Sequence, residues 1–257
     1  MLRLSDLQLV GSLEDLSRIP DGKVLINTIN AHSYNTAQKD EAFAKSLTPD
    51  PSPVGEGSRK YLIPDGVAIV KACKWLKAKS QPKERIAGWD LFSFEMLNLE
   101  RKSEQLTVNN EKCLRVMFMG SSEKVLGLIR QRAAVDYPNL EVVTYSPPYK
   151  AEFSEEDDRA IVKAINDAKP DLLWIGMTAP KQEKWTWRHW QELDIDCHVG
   201  TIGAVFDFYA GTAKRAPLWW QQHGLEWLYR LIKEPKRMWK RYVIGNPLFL
   251  WNVWRER

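Results

Sequence analysis

An aspartate in a tight turn is the first residue of this sequence whose surroundings suggest chemistry. Asp65 lies between Pro64, which restricts the backbone, and Gly66, which leaves room for a ligand to approach closely. The apolar residues 61–63 are typical of a short strand, so Asp65 is expected at the carboxyl end of that strand. With an unperturbed pKa of ~3.9, an aspartate is ionised at neutral pH and can accept a proton as a general base. The alternative is that Asp65 only caps a helix that begins at Gly66.

Two further polar residues close an earlier predicted strand. Residues 23–29 alternate in polarity and include β-branched side chains, and Thr28 and Asn30 lie at the end of this stretch. Their hydroxyl and amide groups could bind hydroxyl groups of a ligand near Asp65. Equally, they could serve only to stabilise the turn.

A second polar group follows the apolar run 172–175. In an open α/β sheet, ligands bind at the carboxyl ends of the strands. Pro180 suits the first position of a helix, and a helix N-terminus favours an anion such as a diphosphate. Gln182 and Glu183 would lie on the first turn of that helix, either as ligand contacts or as ordinary exposed residues.

Two more candidates follow the apolar run 197–199. Gly203 begins the next turn, and Asp207 lies among aromatic residues. Asp207 is a candidate ligand contact, with a buried and hydrogen-bonded acid as the alternative.

Three arginines near the end of the chain suit a phosphorylated ligand. Arg230, Arg237 and Arg241 are spaced seven and four residues apart, which would align them on one helical face. Pro235 interrupts that pattern, so Arg230 could belong to a separate segment. Guanidinium groups match phosphate oxygens, and these three could stabilise a departing diphosphate.

A possible metal motif is best explained as a loop. Asp194 and Asp196 form a DxD pattern, but they precede an apolar run instead of closing one. We therefore expect no bound metal. Residues 120–122 form a glycine-containing turn after a strand, but they lack the full glycine fingerprint of a dinucleotide site.

The elements that must position these residues alternate along the chain. Strands are predicted at 23–29, 61–63, 113–119, 141–145, 171–175 and 197–199, with helices at 33–47, from 66 to about 79, at 123–135 and at 154–168. This alternation predicts an α/β fold with Rossmann-like, largely parallel sheets in two closely packed halves. We expect residues 1–208 to form the core, with an inserted surface loop at 48–60 that is rich in Pro, Gly and Ser, and residues 209–257 to form a helical appendage.

Charge and tryptophan are concentrated at the end of the chain. Residues 209–257 hold ten Lys or Arg against three Glu, a balance of +7 in a chain of net charge +4, and six of the twelve Trp. This composition is typical of an interfacial membrane anchor. One alternative is a solvated basic helix that packs its tryptophans on the core. Another is nucleic-acid binding, which we do not expect because no recognised nucleic-acid-binding motif accompanies the charge. The three scattered cysteines indicate neither a disulfide framework nor a zinc site, and residues 1–20 lack the features of a signal peptide.

The chain resembles the bacterial WecG/TagA/CpsF glycosyltransferase family over nearly its whole length. The residues that carry the resemblance are Gly176, Pro180-Lys181-Gln182-Glu183, Gly203-Ala204, Phe206-Asp207-Phe208, Ala210-Gly211, Arg215-Ala216-Pro217, Gly224-Leu225-Glu226-Trp227, Tyr229-Arg230-Leu231, Glu234-Pro235, Arg237 and Arg241-Tyr242. Thr178 and Thr201 depart from the pattern, because many members have glycine there. These two threonines leave the identity of the donor open.

The resemblance implies an inverting, metal-independent glycosyltransferase. Its donor would be a UDP-sugar, with a hexose or an N-acetylmannosamine-type sugar, and its acceptor a polyprenyl-diphosphate-linked sugar. Asp65 would be the base, Thr28 and Asn30 would line the catalytic pocket, and the C-terminal arginines would act on the diphosphate. No cofactor is expected besides the donor substrate.

The resemblance also implies a location at the cytoplasmic face of the membrane, with the appendage on an anionic lipid surface. A homo-oligomer is left open. The rival interpretation is a non-catalytic protein that binds nucleotides and membranes or polyanions. A pure binder has no need of the Asp65, Thr28 and Asn30 cluster, which favours the enzyme.

Overall fold

A computed structural model describes residues 2–48, 59–108 and 113–257 of the 257-residue chain, except for the side chains of Arg59 and Arg237. Most of the loop predicted at 48–60 therefore lies outside the described residues. Its predicted end is wrong by two residues, because Arg59 and Lys60 already belong to a strand.

One parallel sheet of six strands organises the described part of the chain. The strands are β1 (Val24–Ile29), β2 (Arg59–Pro64), β3 (Leu114–Met119), β4 (Leu140–Tyr145), β5 (Leu172–Ile175) and β6 (His198–Thr201). Their order is β2-β1-β6-β5-β3-β4, and every pairing is parallel. The α/β, Rossmann-like prediction is confirmed, and the two predicted halves share this sheet, joined where β6 pairs with both β1 and β5. All six carboxyl ends lie at one edge, where ligands bind in such folds.

Helices connect and cover the strands. They are α1 (Ala31–Ala37), α2 (Glu41–Leu47), α3 (Val67–Leu76), α4 (Gly88–Val108), α5 (Glu123–Asp136), α6 (Glu155–Ala168), α7 (Lys181–Arg188), α8 (Gly203–Tyr209), α9 (Leu218–Gln222), α10 (Glu226–Lys233), α11 (Pro235–Trp239) and α12 (Gly245–Trp254), with a π-helical turn at Lys240–Ile244. Short 3-10 turns lie at Leu4–Asp6, Glu14–Arg18 and Trp190–Glu192.

Two of the predicted helices differ from the structure for local reasons. The helix predicted at 33–47 is divided into α1 and α2, because Asp40 caps α2 by accepting a hydrogen bond from the Phe43 amide at 2.9 Å. The helix predicted to reach residue 79 ends at Leu76, because Lys77 takes a left-handed conformation with φ 51°.

Tight packing fixes α8 against the carboxyl end of β5. A side chain at Gly176 would place its first carbon 2.5 Å from the ring of Phe206, a buried residue of α8. Only glycine leaves room for this contact, so the turn after β5 and the start of α8 are held side by side.

The last helix is packed into the core. Phe249 and Val253 of α12 are buried, and the Phe249 ring meets the Tyr34 ring of α1 edge-on with centroids 5.5 Å apart. Asn252 donates to Asn35 at 3.0 Å, and the Glu256 carboxylate accepts from the backbone amide of Leu4 at 2.9 Å. The division at residue 209 stays a prediction, but the end of the tail is attached firmly to α1.

Within the described residues, the longest apolar helical stretch falls short of what a membrane crossing requires.

Candidate active site

The turn that carries Asp65 lies beside the end of β1. Because β1 and β2 pair in register, Ile29 lies opposite Pro64, and the Asp65 amide donates to the Ile29 carbonyl at 2.8 Å. The Asn30 side-chain amide then reaches the Asp65 carboxylate, with Nδ2 3.4 Å from Oδ2. Thr28 lies half-buried two residues before Asn30 on the same strand end. Neighbouring strand ends therefore bring Asn30 against Asp65, with Thr28 on the same strand end as Asn30.

Asn30 both stabilises the turn and faces Asp65. Its Oδ1 accepts hydrogen bonds from the amides of His32 and Ser33 at 3.0 Å, and Ser33 Oγ accepts from the Asn30 amide at 2.8 Å. This capping box directs the oxygen of the side chain to the start of α1. The NH₂ group is left to point at Asp65, so the two interpretations of Asn30 are compatible.

Asp65 does not cap the helix that follows it. The N-cap of α3 is Gly66, with φ 122°, and it makes no side-chain capping bond. A residue with a side chain would be strained in this conformation, which accounts for the glycine. The carboxylate of Asp65 is directed to Asn30 instead, which leaves it available for chemistry.

The surroundings of Asp65 make it a stronger base than a free aspartate. Burial raises its pKa, and the nearby Glu226 carboxylate raises it further. The hydrogen bond from Asn30 and the positive charges of Arg241 and Arg85 act in the opposite direction, but the net pKa is raised. A raised pKa favours proton abstraction near neutral pH.

Arg85 is a residue of this site that the sequence analysis missed. The Ile86 amide donates to the Pro64 carbonyl at 2.9 Å, which holds Arg85 next to the Asp65 turn. Its guanidinium forms an ion pair with Glu226 of α10, with Nη1 3.0 Å from Oε2. No periodicity or motif in the sequence indicates a functional role for Arg85. Its position beside Asp65 depends on the hydrogen bond between Ile86 and Pro64, which joins residues about twenty positions apart.

Gln182 ties two strand-end loops together. It is 4% exposed, and its Oε1 accepts hydrogen bonds from the amides of Met177 at 3.1 Å and Gly203 at 3.2 Å. A side chain at Gly203 would place its first carbon 2.1 Å from the Met177 carbonyl oxygen. Because Gln182 is buried, its interpretation as an ordinary exposed residue is wrong, and its role as a UDP contact stays a prediction.

Pro180 is the N-cap of α7 and not its first helical residue, as the sequence had suggested.

Glu183 is a buried acid whose charge is poorly compensated. It is 2% exposed, and Oε1 accepts a hydrogen bond from Gln182 at 2.8 Å. In the described part of the chain, its Oε2 has no hydrogen-bond partner. Burial raises the pKa of Glu183 to about 7. The alternative of an exposed helix residue is wrong for Glu183 also.

We expect Glu183→Gln to change how stability depends on pH. The unfolded acid ionises near its ordinary pKa of 4.5 and the folded acid near 7, so the folded state binds one more proton between these values. The wild type should lose about 3 kcal/mol of unfolding free energy relative to the variant as pH rises through this window. Urea titrations at pH 5 and pH 8 measure it. The exposed Glu104→Gln serves as control, and parallel pH curves for wild type and E183Q would show that Glu183 is ionised when folded.

Asp207 is not the buried acid that was the alternative to a ligand contact. It is exposed on α8, and its Oδ1 accepts a hydrogen bond from Thr212 Oγ1 at 3.2 Å. The interpretation as a buried acid is wrong, because the aromatic neighbours of Asp207 in the sequence point to the other side of a helix. Its role as a ligand contact stays a prediction.

The three C-terminal arginines do not share one continuous α-helix. Arg230 lies on α10, with its guanidinium carbon 6.0 Å from the centre of the Phe208 ring, whereas Arg241 lies on the π-helical turn. The break at Glu234 and Pro235 separates them, as the proline allowed. Arg237 belongs to α11, and its side chain is outside the described residues. Of these arginines, Arg241 influences the Asp65 carboxylate through its charge.

Asp194 and Asp196 lie at the opposite edge of the sheet. They precede β6, whereas Asp65 follows β2, and all strands run parallel. The DxD pair is therefore remote from the candidate base, as expected for a loop. Ser122 of the 120–122 turn caps α5 through the Val125 amide at 3.4 Å.

The two threonines that depart from the family pattern have different surroundings. Thr201 is fully buried, and its hydroxyl donates to Asn27 Oδ1 at 2.7 Å. Asn27 in turn donates to the Ser46 carbonyl at 3.1 Å. Thr201 thus links β6 to β1 inside the protein, whereas Thr178 is exposed in the turn before α7.

Comparison with known proteins adds to this geometry. The model of the "Glycosyl transferase WecG/TagA/CpsF family" matches residues 2–257. A Bacillus subtilis (strain 168) protein is 29% identical over 232 residues, 90% of this chain and 79% of the relative. A Bacillus spizizenii protein is 32% identical over 186 residues, 72% and 65% respectively, and a Staphylococcus aureus (strain MW2) protein is 27% identical over 231 residues, 90% and 79%. Each of the three is named N-acetylglucosaminyldiphosphoundecaprenol N-acetyl-beta-D-mannosaminyltransferase.

Proposed function

The chain belongs to the WecG/TagA/CpsF family of glycosyltransferases, and we propose that it moves an N-acetylmannosamine-type sugar or a hexose from a UDP-sugar to a polyprenyl-diphosphate-linked sugar. The names of the relatives support the acceptor class and a role in the synthesis of a bacterial cell-surface polysaccharide. The observation that carries the proposal is the pairing of Asp65 with Asn30 at the ligand-binding edge of the sheet. Membership of an enzyme family removes the basis for the non-catalytic alternative.

The reaction begins at Asp65. Its carboxylate accepts the proton of the acceptor hydroxyl, and the oxygen of that hydroxyl attacks the anomeric carbon of the donor sugar. Asn30 holds the carboxylate through Nδ2, while its own orientation is fixed by the cap of α1. Thr28 and Asn30 would bind sugar hydroxyls beside the base. A single displacement of this kind inverts the anomeric configuration, since the acceptor attacks opposite the departing UDP.

The leaving UDP carries a developing negative charge that cations must stabilise. Arg241 supplies one such charge from the appendage, and Arg230 and Arg237 are candidates on the same segment. The loops that Gln182 joins, after β5 and β6, lie at the same edge of the sheet and would hold the nucleotide. In this proposal, arginine side chains of the protein neutralise the charge of the leaving diphosphate.

The outer face of the tail is suited to a membrane surface. Three residues of α12, Leu250, Trp251 and Trp254, are exposed, while Phe249 and Val253 on the opposite side are buried. Exposed apolar residues continue over the preceding segment at Trp239, Val243 and Ile244. Together with the +7 charge of residues 209–257, this surface favours peripheral binding to anionic lipid at the cytoplasmic face, where a lipid-linked acceptor would lie.

We expect UDP to bind without a divalent metal. The reason is that the appendage carries three arginines as candidates for the diphosphate, while the Asp194 and Asp196 pair lies at the far edge of the sheet. Calorimetry in the presence of EDTA should give the same UDP affinity as calorimetry with Mn²⁺, and GDP serves as the control nucleotide. Binding that requires Mn²⁺ would contradict the proposal. Loss of that binding in Asp194→Asn would then identify the metal site.

A further inference from the structure

One carboxylate of the appendage, that of Glu226, pairs with two arginines, and one of these, Arg85, lies next to the Asp65 turn. We propose that Glu226 is a positioning residue of the transfer reaction, which holds Arg85 away from Asp65 and ties α10 to the core. The inference rests on the proposed function of Asp65 as the base. It assigns to Glu226 a role beyond carrying part of a family motif.

The contacts of Glu226 engage both of its oxygens. Oε2 lies 3.0 Å from Arg85 Nη1, and Oε1 lies 3.5 Å from Arg215 Nε. The side chains are 19% exposed for Arg85, 21% for Arg215 and 28% for Glu226, so solvent screens these pairs only in part. A partly buried carboxylate between two guanidinium groups has a defined geometry, unlike a pair of flexible surface side chains.

Each arginine is anchored to a further segment. Arg85 Nη2 donates to the Gln221 carbonyl at 3.4 Å. Arg215 lies 3.7 Å from Asp90 and stacks over the Trp89 ring, with its guanidinium carbon 5.6 Å from the ring centre. Glu226 therefore joins three parts of the molecule: the residues before and at the start of α4, the segment before α9, and α10.

The Glu226 carboxylate also acts on Asp65 through its charge. The groups that act on Asp65 are the Asn30 amide at the start of α1, with Nδ2 3.4 Å from Oδ2, and the charges of Glu226 from α10, Arg241 from the π-helical turn and Arg85 from the segment before α4. Glu226 is the negative group that opposes the two cations. Without it, Arg85 would lose its ion-pair partner and keep only its hydrogen bond to the Gln221 carbonyl. Its charge would then be drawn toward Asp65, and an ion pair there would lower the pKa of the Asp65 carboxyl and weaken the base.

The test replaces Glu226 with glutamine, which removes the charge but keeps the size. We expect Glu226→Gln to slow single-turnover transfer about tenfold at neutral pH, a part of the 10²–10⁴-fold that a general base typically contributes. The acid limb of the pH–rate profile should move to lower pH. The folded state should survive, because α12 is held to α1 by its own contacts. Glu155→Gln, an exposed carboxylate on α6, is the matched control and should change nothing.

A direct titration separates this inference from the proposed function. The ¹³C signal of the Asp65 carboxyl, assigned by its loss in Asp65→Asn, should titrate at lower pH in E226Q than in the wild type. Glu226→Asp keeps the charge, so it should titrate as the wild type does and retain more activity than E226Q. An unchanged titration in E226Q, or a downward move in E226D, would overturn the role of Glu226. The catalytic role of Asp65 is tested independently, by the activity of Asp65→Asn.

Discussion

Asp65→Asn is expected to slow sugar transfer by about 10²–10⁴-fold, the usual contribution of a general base. Asparagine keeps the size of the side chain and a carbonyl oxygen that can accept from Asn30, but it cannot take a proton at neutral pH. The half-buried carboxylate carries a cost of burial, which raises its pKa, so its removal should not lower the melting temperature. UDP affinity should also stay near the wild-type value. Single-turnover rates, calorimetry and thermal unfolding measure the three quantities.

The matched control for this variant is Asp196→Asn. It removes the same charge at the opposite edge of the sheet and should leave the rate unchanged. Full activity in Asp65→Asn would mean that the base lies elsewhere. A large drop in melting temperature would instead indicate that Asp65 supports the fold of the β2 turn.

Trp251→Ser combined with Trp254→Ser is expected to weaken binding to anionic vesicles by about 10²-fold. Both rings are exposed, and they stack with centroids 5.2 Å apart on the outer face of α12. Inserting such partly exposed rings at a lipid interface is worth roughly 1–2 kcal/mol each, and about 3 kcal/mol in total corresponds to that ratio. Vesicle sedimentation measures it. Transfer to a soluble acceptor analogue should continue in the same variant, because neither ring contributes to the candidate site.

This pair of substitutions tests lipid binding more specifically than deletion of the tail does. Deletion would remove Phe249 and Val253 from the core, as well as the contacts of Glu256 with the first residues of the chain, and would destabilise the whole protein. Tyr149→Ser, an exposed aromatic outside the tail, is the control and should leave vesicle binding intact.

Compared with the double tryptophan variant, Arg241→Ala should affect sugar transfer more than vesicle binding. It should weaken vesicle binding by only about fivefold, since one cation near the surface is worth about 1 kcal/mol, yet slow transfer to the soluble analogue. Equal losses of vesicle binding and transfer in both the tryptophan and the arginine variants would contradict the division of the tail into an outer lipid face and an inner catalytic face.

Much of the fold was predictable because its signals are local. The strand β5 is a continuous apolar run, β1 and β3 are largely apolar, and Ser154 marks a helix start because its side chain caps α6. The divided helix at 33–47 was missed because the cap at Asp40 interrupts an otherwise helical composition. The neighbours of β6 were also out of reach, since strand order depends on packing between distant segments.

By itself, the sequence determined the alternation of strands and helices, the Pro-Asp-Gly turn with its base candidate, and the basic, Trp-rich tail. Periodicity, turn chemistry and composition are properties of short stretches, so they survive without coordinates. Only the tertiary structure decided that Arg85 and Glu226 meet beside Asp65, that Gln182 and Glu183 are buried, and that α12 turns its inner face to α1. These contacts join residues far apart in the chain, and their partners are selected by the packing of the whole molecule.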